Sequence, residues 1–239
     1  MMIKEKVLTI CLGNNSSNVY GSNNDVILFY NYIYNLIERN KYKNKTEYLY
    51  SRPKILLNED VTIDNILEII KRKIKNDSMI SRILIFYSGH GYSNGYFNIK
   101  DPKRKMVNKK KLIKYIDNIL TKEIKLNFIF DSCYSGIVIN YDKFKFTKEI
   151  KMISSTSAKQ KANETICSYN TLVKEKKLRL LLDKVQVSNN NMIVGIFTFN
   201  FLNILYREDI NINDWNLFIK DKFWKKLKKM INQYPSVDW

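Results

Sequence analysis

The chain is poor in residues that loosen or cross-link a polypeptide: its 239 residues include seven Gly, three Pro and three Cys. So few glycines and prolines leave no room for a long flexible linker, and the length suits one domain or a closely joined pair of subdomains. Three cysteines, an odd number with no CxxC spacing, argue against a disulfide framework and a zinc site. They point instead to a reducing compartment and an intracellular, cytoplasmic location. No apolar run approaches the ~18–20 residues needed to span a bilayer. The stretch Val7 to Leu12 is shorter than a signal-peptide core of ~7–15 residues, and no small-residue cleavage site follows it. Histidine occurs once.

Acidic side chains are also scarce, 23 Asp and Glu against 41 Lys and Arg, for a formal charge of +18. Such a charge invites a nucleic-acid reading. However, the lysines scatter over every helix rather than forming one arm. Heavy use of Lys, Asn, Ile and Tyr is what an AT-rich coding sequence produces. The runs Lys103-Arg104-Lys105 and Lys109-Lys110-Lys111 flank a loop and a helix start, where solvated charge is ordinary. Nucleic acid is therefore expected as no more than a weak, salt-sensitive electrostatic partner.

Hydrophobic periodicity orders the chain as alternating strands and helices. Val7 to Leu12 reads as a buried strand, and Asn23 to Arg39 as a helix with Val26, Phe29, Tyr30, Ile33 and Ile37 on one face. Ile55 to Leu57 is a second short strand. Thr62 or Asp64 caps a helix striped by Ile66, Ile69, Ile70 and Ile74. Ile83 to Tyr87 is a third strand, and Asn94-Gly95 between Tyr92 and Tyr96 marks a hairpin turn. Asn108 opens a Lys-rich helix carrying Leu112, Ile113, Ile116 and Leu120, and Leu126 to Phe130 is a fourth strand. This alternation predicts a doubly wound α/β sheet. Beyond it come a strand over Glu149 to Ser155 and a short helix over Leu172 to Leu182 within the polar stretch Lys161 to Asn191. Amphipathic helices over Phe197 to Tyr206 and Trp215 to Met230 follow, then an edge strand over Ser236 to Trp239.

The lone histidine, His90, closes the third strand within Tyr87-Ser88-Gly89-His90-Gly91. The fourth strand empties into Asp131-Ser132-Cys133-Tyr134-Ser135-Gly136. Strand exits of an open parallel sheet share one edge, where ligands bind. Neighbouring strands would there bring an imidazole to a thiol, the minimum kit of a cysteine hydrolase. A free thiol titrates near ~8.5, so an adjacent base is needed to supply thiolate at neutral pH. Gly91 lets the backbone approach a substrate carbonyl without an intervening Cβ. Its N–H, with that of Cys133, would form an oxyanion hole, worth about 2.7–4 kcal/mol per donor. A lone cysteine in an apolar context is usually a packing residue. Cys11 and Cys167 read that way, whereas Cys133 stands amid Gly and Ser at a strand end.

These segments resemble the caspase-like cysteine peptidases, most closely the metacaspases. That family shows Ser-Gly-His-Gly and Asp-Ser-Cys-x-Ser-Gly in this order, here Ser88 to Gly91 and Asp131 to Gly136. Asn24-Asp25, Gly195-Ile196-Phe197-Thr198 and Gln233-Tyr234-Pro235 match in order, so the resemblance spans essentially the whole chain. It implies an α/β fold with a caspase-like, mostly parallel six-stranded sheet flanked by helices on both faces. A large segment, 1–148, would carry the His/Cys dyad, and a small segment, 149–239, would complete the same sheet.

The implied activity is a cysteine endopeptidase that cuts after Arg or Lys through a thioester acyl-enzyme, with His90, Cys133 and Gly91 catalytic. The implied partners are protein or peptide substrates with Arg or Lys before the scissile bond; no membrane partner is expected, and the chain is expected to be a monomer. The implied substrate pocket has Asp25 and Asp131 with Ser88 on its wall, and Ser22 where metacaspases carry a cysteine. A carboxylate beside the cysteine disfavours thiolate, so a role in holding a cationic side chain gives Asp131 its reason. The alternative is that Asp25 caps a helix and Asp131 a turn. No cofactor is expected. Many metacaspases bind calcium through loop carboxylates, but the matching loops here offer only Asp101 and Asp142 among lysines, and calcium wants ~6–8 oxygens. Self-cleavage would fall in Lys174-Glu175-Lys176-Lys177-Leu178-Arg179, unless Leu178 to Leu182 pack as a helix. Two readings from other classes stand beside this one. The first is a catalytically silent adaptor on the same fold, against which the intact His–Cys pair speaks. The second is a basic nucleic-acid-binding protein, for which no binding motif appears.

Overall fold

A computed structural model of the chain describes residues 5–16, 19–40, 48–136, 145–157, 159–168, 191–213, 218, 221–231 and 235–238. Parallel pairing joins β1 (Glu5–Asn14) to β4 (Ile80–Gly89), β4 to β7 (Ile124–Asp131), and β7 to β8 (Thr147–Ser154). Two short strands share the outer side of β1. Tyr48–Tyr50 (β2) lies opposite Glu5 to Val7, and Lys54–Leu57 (β3) opposite Ile10 to Gly13. At the far edge Ser236–Asp238 (β11) runs antiparallel to β8. Among the described residues, seven strands thus fill six positions of a mostly parallel sheet. Two small antiparallel pairs stand outside it: β5 (Tyr96–Lys100) with β6 (Met106–Asn108), and β9 (Glu164–Ser168) with β10 (Asn191–Gly195).

Helices cover both faces because the central strands are apolar on both. Along β1, Val7 and Cys11 point into one core while Leu8, Ile10 and Leu12 point into the other, the period-2 alternation of a strand. The first core is closed by α1 (Ser22–Asn40), α4 (Ile196–Arg207) and α5 (Asp221–Ile231). The second is closed by α2 (Ile63–Asn76) and α3 (Lys109–Ile119). The capping residues act as expected: Thr62 Oγ1 accepts from Asn65 N at 3.2 Å, and Asn108 Oδ1 from Lys111 N at 2.9 Å. Among the described residues no helix is long and apolar enough to cross a membrane.

Six elements depart from the sequence reading. The strand β2 and the β5–β6 and β9–β10 pairs have only three to five residues a strand, too few to stand out, although β5 and β10 do alternate buried and less buried positions. The helix α4 is not amphipathic. Phe197, Thr198, Phe201 and Leu202 through Tyr206 are all buried, because α4 lies between α1 and α5. The predicted helix over Leu172 to Leu182, the basic run Lys174 to Arg179, Asp142, and Gln233-Tyr234 lie outside the described residues.

At the edge opposite the strand exits, charge ties four strands together. Arg82, 4% exposed, bonds Glu5 Oε2 through Nε at 2.8 Å and Nη2 at 2.7 Å, and reaches Asn127 Oδ1 at 3.0 Å and Glu149 Oε1 at 4.0 Å. Lys125 adds a 2.5 Å bond to Glu5 Oε1. Burial pushes the Glu5 carboxyl up, but Lys125 and Arg82 outweigh it and hold it below the usual range. Arg82→Ala would leave Asn127 and two carboxylates short of donors. We expect a loss of about 2–3 kcal/mol in chemical denaturation, and a change under ~0.5 kcal/mol would contradict this role.

Candidate active site

The site is set by register. Ser88 of β4 lies opposite Asp131 of β7, so His90 and Cys133 each follow a paired position by two residues on adjacent strand exits. The His90 backbone is pinned: its carbonyl accepts from Tyr87 Oη at 2.8 Å and from Asn98 N at 3.4 Å. The hairpin predicted at Asn94-Gly95 forms, with Tyr92 N donating to Tyr96 O at 3.0 Å and Gly95 N to Tyr92 O at 2.8 Å. Gly91 then presses on the cysteine loop so closely that a Cβ there would stand 2.0 Å from the Cys133 carbonyl oxygen. No other residue fits. The half-buried imidazole places Nε2 2.5 Å from Ser16 Oγ.

The cysteine loop is clamped by the polar end of β8 and the residues after it. Ser132 N donates to Ser155 Oγ at 3.2 Å and Ser135 N to Thr156 Oγ1 at 3.1 Å, while Ser154 Oγ donates to Ser135 O at 2.8 Å. Tyr134 takes a left-handed φ of 54° and donates its N–H to Gln160 O at 2.8 Å. This turn presents a half-buried Cys133, whose Sγ accepts from Ala162 N at 3.3 Å. Cys11, by contrast, is fully buried, and burial pushes its thiol far up, as suits a packing residue. The Cys167 side chain lies outside the described residues.

Beside Cys133 opens a small cleft whose walls include Ser22, Asp25, Ser88, Asp131, Glu164 and Gly195. His90 and Gly91 are not part of that wall. Asp25 and Asp131, 1% and 5% exposed, converge on Gly195, where a Cβ would come within 2.8 Å of Asp25 Oδ2 and 2.3 Å of Asp131 Oδ2. Only glycine leaves room for both carboxyl groups. Asp25 Oδ2 accepts from Ser88 Oγ at 2.7 Å and Oδ1 from Gly195 N at 2.8 Å. These partners belong to other elements, so Asp25 does not cap its own helix. Asp131 Oδ2 accepts from Thr198 N at 3.0 Å and Thr198 Oγ1 at 2.6 Å, at the start of α4, whose cap residue Gly195 has no side chain to offer.

Burial, then the charge of Asp131, pushes the Asp25 carboxyl well above the usual range, against the pull of Ser88 and Gly195. Burial and the nearby Glu164 likewise raise Asp131, opposed by its bonds from Thr198 and Ser155. Ser22 Oγ, in a residue 1% exposed, has no hydrogen-bond partner among the described residues. A buried orphan hydroxyl beside two buried carboxyl groups is a costly arrangement, and such costs cluster at functional sites.

Sequence reasoning missed Glu164, Ser16, and the Ser154 to Thr156 clamp. Glu164 accepts from Gly21 N at 2.6 Å and Tyr20 N at 3.2 Å, fastening the cleft rim. Its signal was hidden because it comes from a short strand in a polar stretch. The Ser-Ser-Thr run at the end of β8 was the one local sign of a loop clamp. Among the described residues no group of three or more His, Cys, Asp or Glu side chains is placed to hold a metal. The Asp101 carboxylate does not suit calcium, being taken by Lys103 N, Lys105 N and, at 2.6 Å, Lys111 Nζ.

Residues 4–230 match the family model of the caspase domain (Peptidase C14). The chain belongs to this family of cysteine peptidases. Its structure is similar to the crystal structure of caspase-1 from Spodoptera frugiperda, with a TM-score of 0.58 and 13% identity over 100% of this chain and 88% of that one. It is also similar to a protein of Geobacter sulfurreducens, with a TM-score of 0.54 and 14% identity over 98% and 92% of the two chains. A third likeness is to pro-sf-caspase-1, at a TM-score of 0.57 and 12% identity over 98% and 91%. No curated protein sequence matches the chain significantly.

A raised carboxyl costs stability once it ionises. The folded Asp25 carboxyl titrates above the unfolded value of about 3.9, so wild-type stability is full below that pH and falls as pH rises through the folded value. Asp25→Asn mimics the neutral form. We expect it to raise the melting temperature at pH 7–8, with the advantage shrinking toward pH 4. An unchanged or lowered melting temperature at pH 8 would contradict the assignment.

Proposed function

We propose that the chain is an endopeptidase of metacaspase type that cuts after Arg or Lys, with Cys133 as nucleophile and His90 as general base. The observation that carries this reading is the convergence of the buried Asp25 and Asp131 carboxyls, with Glu164 nearby, in a cleft that Cys133 also lines. Three acidic groups and the orphan Ser22 hydroxyl offer acceptors to a guanidinium or ammonium group, whereas the acidic groups repel an aspartate side chain. A bound cation would also favour the ionised carboxylates that burial disfavours. Ser88, bonded to Asp25, fixes that acceptor's orientation.

In this mechanism the Cys133 sulfur attacks the scissile carbonyl carbon as its proton passes to His90. The N–H groups of Gly91 and Cys133 hold the oxyanion. The imidazolium gives its proton to the leaving amine, and the thioester left on Cys133 is hydrolysed by water that His90 deprotonates. The close seating of Gly91 on the Cys133 carbonyl supports this pairing of donors.

Fluorogenic peptides ending in Arg, Lys or Asp test the reading. We expect cleavage after Arg and Lys, at least about a 10³-fold loss in Cys133→Ala, and about a 10–100-fold fall in kcat/KM for Arg substrates in Asp25→Asn. Cleavage after Asp, or full activity in Cys133→Ala, would refute it. With Asp101 committed to Lys111 and its own turn, activity should survive calcium chelation. Loss under a chelator with recovery on adding calcium would contradict that expectation.

A further inference from the structure

A cysteine–histidine pair works only if the imidazole presents the correct nitrogen. Neutral imidazole carries one N–H and one lone pair, and the partner of one nitrogen decides which form the ring adopts. His90 Nε2 has such a partner, the hydroxyl of Ser16 at 2.5 Å. If that hydroxyl donated, Nδ1 would carry the hydrogen and could take no proton. If it accepts, Nδ1 keeps its lone pair.

We propose that Ser16 is the positioning residue for His90, accepting its Nε2–H so that Nδ1 is the atom that receives the Cys133 proton. The inference rests on the reading of His90 as general base. The same contact persists after proton transfer, because both nitrogens of the imidazolium are donors and Ser16 Oγ still accepts from Nε2. Ser16 therefore steadies the ring in both of its working states.

The local structure holds Ser16 in place for this task. It lies just past β1, where Asn14 pairs with Gly89 of β4, so its distance from His90 follows from the sheet. Ser16 pairs with Val19 in both directions, Ser16 N donating to Val19 O at 2.9 Å and Val19 N to Ser16 O at 3.3 Å. Neighbouring Asn15 is itself fastened, donating N–H to Asn58 Oδ1 at 3.1 Å and accepting from Asn23 N at 3.0 Å. Asn14 Nδ2 donates to Asn98 O at 2.9 Å, and the Asn98 N–H in turn reaches the His90 carbonyl. Ring and hydroxyl thus hang from one hydrogen-bonded frame. Val19, the backbone partner of Ser16, also lines the acidic cleft.

His90 being the only histidine, ring-15N-labelled histidine reports on this one imidazole without assignment. We expect the wild type to show the Nε2–H tautomer and Ser16→Ala to shift toward Nδ1–H. On an Arg peptide, Ser16→Ala should lose at least about tenfold in kcat with KM within about twofold. Ser16→Thr, which keeps the hydroxyl, should restore tautomer and rate. A wild-type Nδ1–H tautomer, or a Ser16→Ala protein unchanged in tautomer and kcat, would overturn the proposal. An inactive wild type that shows Nε2–H, lost in Ser16→Ala, would refute the peptidase reading while upholding the role of Ser16.

Discussion

The parallel register of β4 against β7 is the constraint on which the rest of the site depends. Pairing Ser88 with Asp131 sets two short loops side by side, and His90 and Cys133 leave from those two strand ends. A slip of one residue would turn the apolar side chains of one strand toward the wrong core, so burial on both faces locks the register. The Arg82 cluster at the opposite edge ties β1, β4, β7 and β8 together through side chains rather than ladder bonds. The hydrophobic cores and this charge cluster thus fix the same alignment from different physical sources.

The acidic cleft works against that stability. Two carboxyl groups are held almost without solvent around a glycine, and each raises the cost of ionising the other. Part of the cost is offset by the Thr198 amide and hydroxyl at the start of α4, which donate to Asp131, and by Ser88 and the Gly195 N–H at Asp25. A core built only for stability would replace such a pair with apolar side chains. Its retention next to a presented cysteine is what the proposed recognition of a cationic side chain explains.

Much of this was legible in the sequence because it depends on short-range pattern. Apolar strands ending at His90 and Cys133, the caps Thr62 and Asn108, and the Asn94-Gly95 turn are all written within a few residues of where they act. The parallel sheet followed from the alternation of strands and helices. What stayed hidden depends on residues distant in the chain. Ser16 meets His90, Glu164 meets Tyr20 and Gly21, and Gly195 meets Asp25 only after β1, β4 and β10 are placed. The burial of α4 on all sides is likewise a tertiary outcome. Asn203, a polar residue of that helix, is buried with its apolar neighbours.

The central claim is that one thiol of three is chemically competent and that the cleft beside it takes a basic side chain. An acyloxymethyl ketone carried by a peptide ending in Arg tests both parts at once, because it needs an activated nucleophile and a seated cation. Mass spectrometry after labelling should show one adduct per chain, located on Cys133, formed more slowly with an Asp-terminated analogue and absent in Cys133→Ala. An adduct on Cys11 or Cys167, or equal labelling by the Arg and Asp reagents, would contradict the account.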